Sequence, residues 1–124
     1  MINKKILLIE DDPLLVDIYT TKLEQEGFKV MALTRGEKAL ETIEKEKPDL
    51  VILDIVLPHV DGWEILQSLK QSDKTKGTKV MILSNLGQKE EIEKGLKLGA
   101  DQYLIKAHYT PSEVAQEVIK LTSE

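Results

Sequence analysis

Five short apolar runs recur along the chain: "KILLI" (5–9), "KVMAL" (29–33), "LVILDI" (50–55), "KVMILS" (79–84) and "QYLIK" (102–106). Several are apolar at consecutive positions rather than alternate ones, the pattern of strands covered on both faces. Longer segments of helical period follow each run, near 13–26, 36–46, 61–71, 88–98 and 110–122. In the last of these, Val114, Val118 and Leu121 recur on one face beside Ala115 and Ile119. Five βα units in series predict an α/β fold, a parallel sheet with helices on both faces. Five are too few for a closed eight-stranded barrel. The expected architecture is an open doubly wound sheet, flavodoxin-like, with strand order 2-1-3-4-5.

The punctuation agrees with this division. Pro13 suits a first helical turn and Gly27 the residue after a helix end, while Gly99 closes the fourth helix. Asp61 with Glu64, and Thr110 with Glu113, have capping-box spacing, and Pro111 sits where a helix can begin. No low-complexity tract, tandem repeat or long linker interrupts residues 1–124, so a single domain is expected.

Composition then narrows the function. A chain of 124 residues, 41% hydrophobic and 31% charged, is that of a globular domain with a real core. The net charge of −5 argues against direct nucleic-acid binding, which favours a basic surface. Without cysteine there are no disulfides and no thiolate metal sites. The apolar runs are strand-sized, and "MINKKILLIEDD" turns acidic too early for a signal peptide, so no membrane association and a cytoplasmic location are expected.

In open sheets of this kind ligands bind beyond the carboxyl ends of the strands. Glu10, Asp11 and Asp12 stand after the first run, Asp54 near the end of the third, Ser84 and Asn85 after the fourth, and Lys106 at the end of the fifth. Crowded carboxylates raise one another's pKa, so an uncompensated cluster is unfavourable at neutral pH. A hard divalent cation relieves the repulsion, and Mg²⁺ prefers such oxygen donors while leaving room for phosphate oxygens. A remaining aspartate can then attack phosphorus, with a hydroxyl and an ammonium neutralising the equatorial oxygens. Asp12 reads differently, as a residue that helps the first helix to start. The competing designs are missing: no G-x-x-x-x-G-K-[ST] loop, no G-x-G-x-x-G, and no G-x-S-x-G elbow.

With "ILLIEDDPLL", "PDLVILDIVLPHVDGWEIL", "KVMILSN" and "LGADQYLIK" in this order, the chain resembles the receiver domains of bacterial two-component response regulators. The resemblance implies a phosphorylation-dependent switch, not an enzyme with a substrate of its own, and covers essentially the whole chain. It makes Asp54 the acceptor of a phosphoryl group from a histidine kinase or phosphotransfer protein. It makes Glu10 and Asp11 the acid pair for Mg²⁺, with Asp11 the direct ligand and Glu10 acting partly through water. The main-chain carbonyl of Val56 would join them, Ser84 and Tyr103 would be the coupled switch residues, and Lys106 would contact the phosphoryl oxygens. Output would pass through the fourth helix, fifth strand and fifth helix, in a monomer or a phosphorylation-dependent dimer. The chain ends with its last predicted helix, so it is either a stand-alone receiver of the chemotaxis-regulator type or a piece of a longer regulator.

Ala107 departs from the family, which usually has a proline in a cis peptide after the lysine. A cis bond before a non-proline residue costs roughly 2.5–4 kcal/mol, so a trans bond or a rebuilt 106–110 loop is expected. Asn85 replaces a smaller residue and would restrict access to the phosphoryl group. Val56 and Leu86 are apolar, would not position a hydrolytic water, and predict a long-lived phosphorylated form. Two other readings stand beside the switch. One is a receiver-like interaction module that is never phosphorylated; the other is a Mg²⁺-dependent aspartyl-phosphate phosphatase, which would lack a second Asp two residues after the nucleophile.

Overall fold

The computed structural model describes residues 3–123. Five strands, β1 (Lys5–Ile9), β2 (Lys29–Leu33), β3 (Leu50–Leu53), β4 (Lys79–Ser84) and β5 (Gln102–Ile105), alternate with five helices. The helices are α1 (Pro13–Gln25), α2 (Ala39–Glu46), α3 (Gly62–Gln71), α4 (Lys89–Lys97) and α5 (Pro111–Thr122). All strand pairs are parallel and the order is β2-β1-β3-β4-β5, as the hydrophobic pattern predicts.

Period-two alternation divides the central strands between two cores. Ile6, Leu8, Leu50, Ile52, Met81 and Leu83 pack with Tyr19 and Leu23 of α1 and Val114, Ala115 and Val118 of α5. Leu7, Ile9, Val51, Leu53, Val80 and Ile82 face the other way, onto Ala39 and Ile43 of α2 and Ile65, Leu66 and Leu69 of α3. Each of these strand residues is at most 1% exposed, which explains why the runs are apolar without alternation. Strand β2 is the exception. At the sheet edge, Lys29, Met31 and Ala32 are exposed, so its apolar sequence reflects strand propensity more than burial.

The helix ends follow their capping residues. Asp12 Oδ1 accepts from the Leu14 N–H at 2.9 Å, with Pro13 in the first turn, so this acid does serve the helix start. The Thr110–Glu113 box closes in both directions, at 3.1 and 2.8 Å. The Asp61–Glu64 pair is only half realised: Asp61 caps the Trp63 N–H at 2.9 Å, and Glu64 makes no return bond. Gly27 and Gly99 take φ of 97° and 114°, left-handed values that a Cβ disfavours.

Two boundaries differ from the sequence reading. Strand β3 ends at Leu53, leaving Asp54 just beyond the ladder, and Lys106 opens a 3₁₀ turn, Lys106–His108, instead of closing β5. No cis peptide occurs among the described residues, so the Lys106–Ala107 bond is trans and the loop is rebuilt around that short turn. No helix among these residues is long and apolar enough to cross a membrane.

Candidate functional site

The carboxyl ends of β1 and β3 lie side by side in register, with Ile9 opposite Leu53. The next residue on each strand is therefore an acid, Glu10 beside Asp54, and the Asp54 N–H still donates to the Ile9 carbonyl at 3.0 Å. Both are buried, Glu10 at 1% and Asp54 at 5% exposure, whereas Asp11 stands exposed at the rim. Carboxylate oxygens of Glu10, Asp11 and Asp54 all lie within 4.8 Å of one another.

Lys106 enters this cluster from the end of β5. Its Nζ is 2.5 Å from Glu10 Oε1 and 2.6 Å from Asp54 Oδ2, so one ammonium bridges both buried acids. Burial pushes the Glu10 carboxyl up, and the bond from Lys106 offsets only part of that rise. For Lys106 burial works downward, but hydrogen bonds to Asp54 and Glu10 outweigh it and the ammonium is held above its usual range. The remaining oxygens have their own donors: Asp54 Oδ1 accepts from the Val56 N–H at 3.2 Å, and Glu10 Oε2 from the Asp12 N–H at 3.1 Å.

One ammonium does not balance three carboxylates. An oxygen-only donor set, two members buried and one open to solvent, suits a hard divalent cation and suits no thiolate- or imidazole-seeking metal. The residues thus fit the cation that the sequence suggests.

Of the other predicted residues, Val56 touches this centre through its N–H, while Ser84 and Tyr103 bond instead to Leu86. Ser84 is fully buried at the end of β4, and its Oγ accepts from the Leu86 N–H at 3.3 Å. Tyr103 donates its hydroxyl proton to the Leu86 carbonyl, so the same β4–α4 loop is held by both switch candidates. Burial, with Glu91 and Asp54 nearby, pushes the Tyr103 phenol up to about 12. Val56 is 58% exposed beside the acceptor.

The chain belongs to the response regulator receiver domain family. That family matches residues 6–119. The chain is 41% identical over 120 residues to the Bacillus subtilis alkaline phosphatase synthesis transcriptional regulatory protein PhoP. It is 38% identical over 116 residues to the regulatory protein VanRc of Enterococcus gallinarum. Both alignments cover 94% of this chain but only 47% and 48% of those proteins, so the chain spans about half the length of these relatives. In structure it matches a response regulator of Chloroflexus aurantiacus with a TM-score of 0.89, 28% identity, and coverage of 99% of this chain and 100% of that one. The BeF3-activated receiver domain of Klebsiella pneumoniae RstA gives 0.87 at 29% identity, covering 97% and 99%. Receivers of this family are phosphorylation-dependent switches of two-component systems, and the acid cluster of this receiver occupies the expected sheet end.

Two features of the receiver escape sequence reasoning. The Lys94 Nζ lies 4.5 Å from the centre of the Trp63 ring, a contact between α4 and α3. A cavity of about 500 Å³ also opens at the amino ends of the strands, lined by Lys4, Lys47, Asp49, Lys74 and Lys79 among others. It lies at the other end of the strands from Glu10, Asp11 and Asp54, and lysines suit this end because backbone carbonyls of helix C-termini and loops accept from them there. Lys5 bonds Glu46 O, Lys70 bonds Thr78 O and Lys79 bonds Leu121 O.

Proposed function

We propose that this receiver is switched by phosphorylation of Asp54, with Glu10, Asp11 and the main-chain carbonyl of Val56 completing a Mg²⁺ site. The observation that carries this reading is the bridge from Lys106 Nζ to Asp54 at 2.6 Å and to Glu10 at 2.5 Å, inside a cluster otherwise made of acids. An ammonium so placed stands beside the oxygen that would become the acyl phosphate.

In the reaction, an Asp54 carboxylate oxygen attacks the phosphorus of a phosphohistidine on a kinase or phosphotransfer protein. The new P–O bond forms as the P–N bond breaks, and the leaving electron pair stays on the imidazole nitrogen. Glu10, Asp11 and the Val56 carbonyl would hold a Mg²⁺, whose charge would offset that spreading over the phosphoryl oxygens. Lys106 follows one of those oxygens, releasing Glu10. Ser84 turns its hydroxyl toward another, which draws on the loop that Leu86 shares with Tyr103. The displacement shifts a pre-existing equilibrium toward the active arrangement.

Output then passes through α4, β5 and α5 to a partner protein or a second copy, in the cytoplasm. This conclusion is tested by incubation with Mg²⁺ and acetyl phosphate followed by intact mass. One phosphoryl adduct in the wild type, absent in Asp54→Ala, is expected. No adduct from any donor overturns the switch and leaves the interaction module.

A further inference from the structure

Helix α4 is poorly anchored for a helix that lies in the expected output region. Of its nine residues only Gly95 is buried, and glycine brings no side chain to bury. Its position is therefore decided by a few contacts of modest size.

On one side Gly95 closes onto β4 and β5. A Cβ at that position would lie 2.6 Å from Ile82 Cδ1 and 2.9 Å from Tyr103 Cδ2, so the helix backbone rests on the Tyr103 ring. Tyr103 is bonded to the Leu86 carbonyl, and Leu86 N–H to Ser84 Oγ. On the other side the neighbouring residue, Lys94, lays its ammonium over Trp63, 4.5 Å from the ring centre. Trp63 is itself tied to the acceptor loop. Its N–H is capped by Asp61 at 2.9 Å, and Gly62 packs so tightly that a Cβ would meet Asp54 O at 2.9 Å and Ile55 O at 2.6 Å.

We propose that the Lys94–Trp63 contact is a latch that holds α4 in the arrangement where Tyr103 is bonded to the Leu86 carbonyl, giving the acceptor loop a second route to the output face. The reading rests on the phosphorylation switch and adds a device to it. The latch joins the acceptor loop to α4 through α3, independently of Ser84. An exposed cation–π contact shifts an equilibrium about two- to fivefold, enough to matter for a helix with one buried residue. Because coupling is reciprocal, loosening a latch on the unswitched arrangement must strengthen, by the same factor, whatever binds Asp54 in the switched state.

The test compares wild type, Lys94→Gln and Lys94→Arg by two readouts. One is amide hydrogen exchange across α4 in the unliganded protein. The other is the midpoint for beryllofluoride with Mg²⁺, followed by amide NMR. Lys94 is exposed and glutamine is a good helix former, so both variants fold. In Lys94→Gln, α4 exchange rises and the beryllofluoride midpoint falls to lower concentration, each about two- to fivefold. Arginine, which keeps the charge and stacks on the ring, restores both. The latch is overturned if Lys94→Gln moves neither readout or only one, or if arginine behaves as glutamine does. A wild type that gives no response to beryllofluoride overturns the switch itself, and the latch's regulatory role with it.

Discussion

Lys106 and Glu10 stand on strand ends from opposite ends of the chain, yet Nζ and Oε1 are 2.5 Å apart and almost wholly shielded from water. The same ammonium reaches Asp54 at 2.6 Å, so the last strand of the sheet neutralises acids that belong to the first and third. Removing either the base or the acids therefore changes both stability and chemistry.

Replacing Lys106 by alanine leaves two buried carboxylates uncompensated. Without divalent metal the variant should lose about 3 kcal/mol, at the low end for a broken buried pair because Glu10 can take up a proton. Urea unfolding without and with Mg²⁺ checks this. The deficit should shrink when Mg²⁺ is present, and an unchanged deficit would remove the cation from the cluster.

Asp11 is exposed and makes no ion pair among the described residues, so Asp11→Asn, which relieves its crowding with Glu10 and Asp54, should leave the metal-free melting temperature unchanged or slightly higher. The wild type should gain about 1.4 kcal/mol at Mg²⁺ ten times its Kd, and the variant little or none. Thermal melts across a Mg²⁺ series distinguish the two.

Gly62 is in contact with the backbone that carries the acceptor. Alanine there would place Cβ 2.5 Å from Ile55 Cα, a backbone atom that cannot swing aside as a flexible side chain would. A loss of about 2–3 kcal/mol is expected, with the 54–56 backbone displaced. Phosphorylation by acetyl phosphate should slow in Gly62→Ala even at temperatures where the variant is fully folded.

Tyr103 should titrate near 12, from burial first and the neighbouring Glu91 and Asp54 second. A phenol whose folded pKa lies above its unfolded value, about 10, gives stability that is complete below pH 10 and is lost as pH rises toward 12. Denaturation at pH 9 and pH 11.5 should show a larger loss for wild type than for Tyr103→Phe. Equal losses would show that the phenol is ordinary.

The phosphorylated form should be long-lived. Val56, 58% exposed beside Asp54, and Leu86 offer no group to orient an attacking water. Decay of the acyl phosphate after donor removal, timed by intact mass, measures this. Glutamate at position 56 should hasten it, and rapid loss from the wild type would refute the expectation.

The fold was legible because burial on both faces writes itself into composition: residues 6–9, 50–53 and 80–83 are apolar without a gap and are the best-buried segments. The acids, Ser84 and Lys106 were legible because strand ends of an open parallel sheet converge at one edge. The half-formed Asp61–Glu64 box shows the limit of spacing rules, since a carboxylate at the right interval still has a choice of partners. The Lys94–Trp63 contact carried no signal, for an exposed lysine on a charged helix looks like any other.

By itself, then, the order of apolar and polar residues determined the architecture, the edge where chemistry collects and the residue types collected there. Tertiary structure alone decided that Lys106 bridges Glu10 and Asp54 rather than one of them, and that Tyr103 and Ser84 share Leu86. It also decided that α4 rests through Gly95 on Tyr103 and through Lys94 on Trp63. The reason is physical: periodicity reports which face of an element is buried, whereas distances across the sheet end depend on register and loop path, which no local pattern encodes.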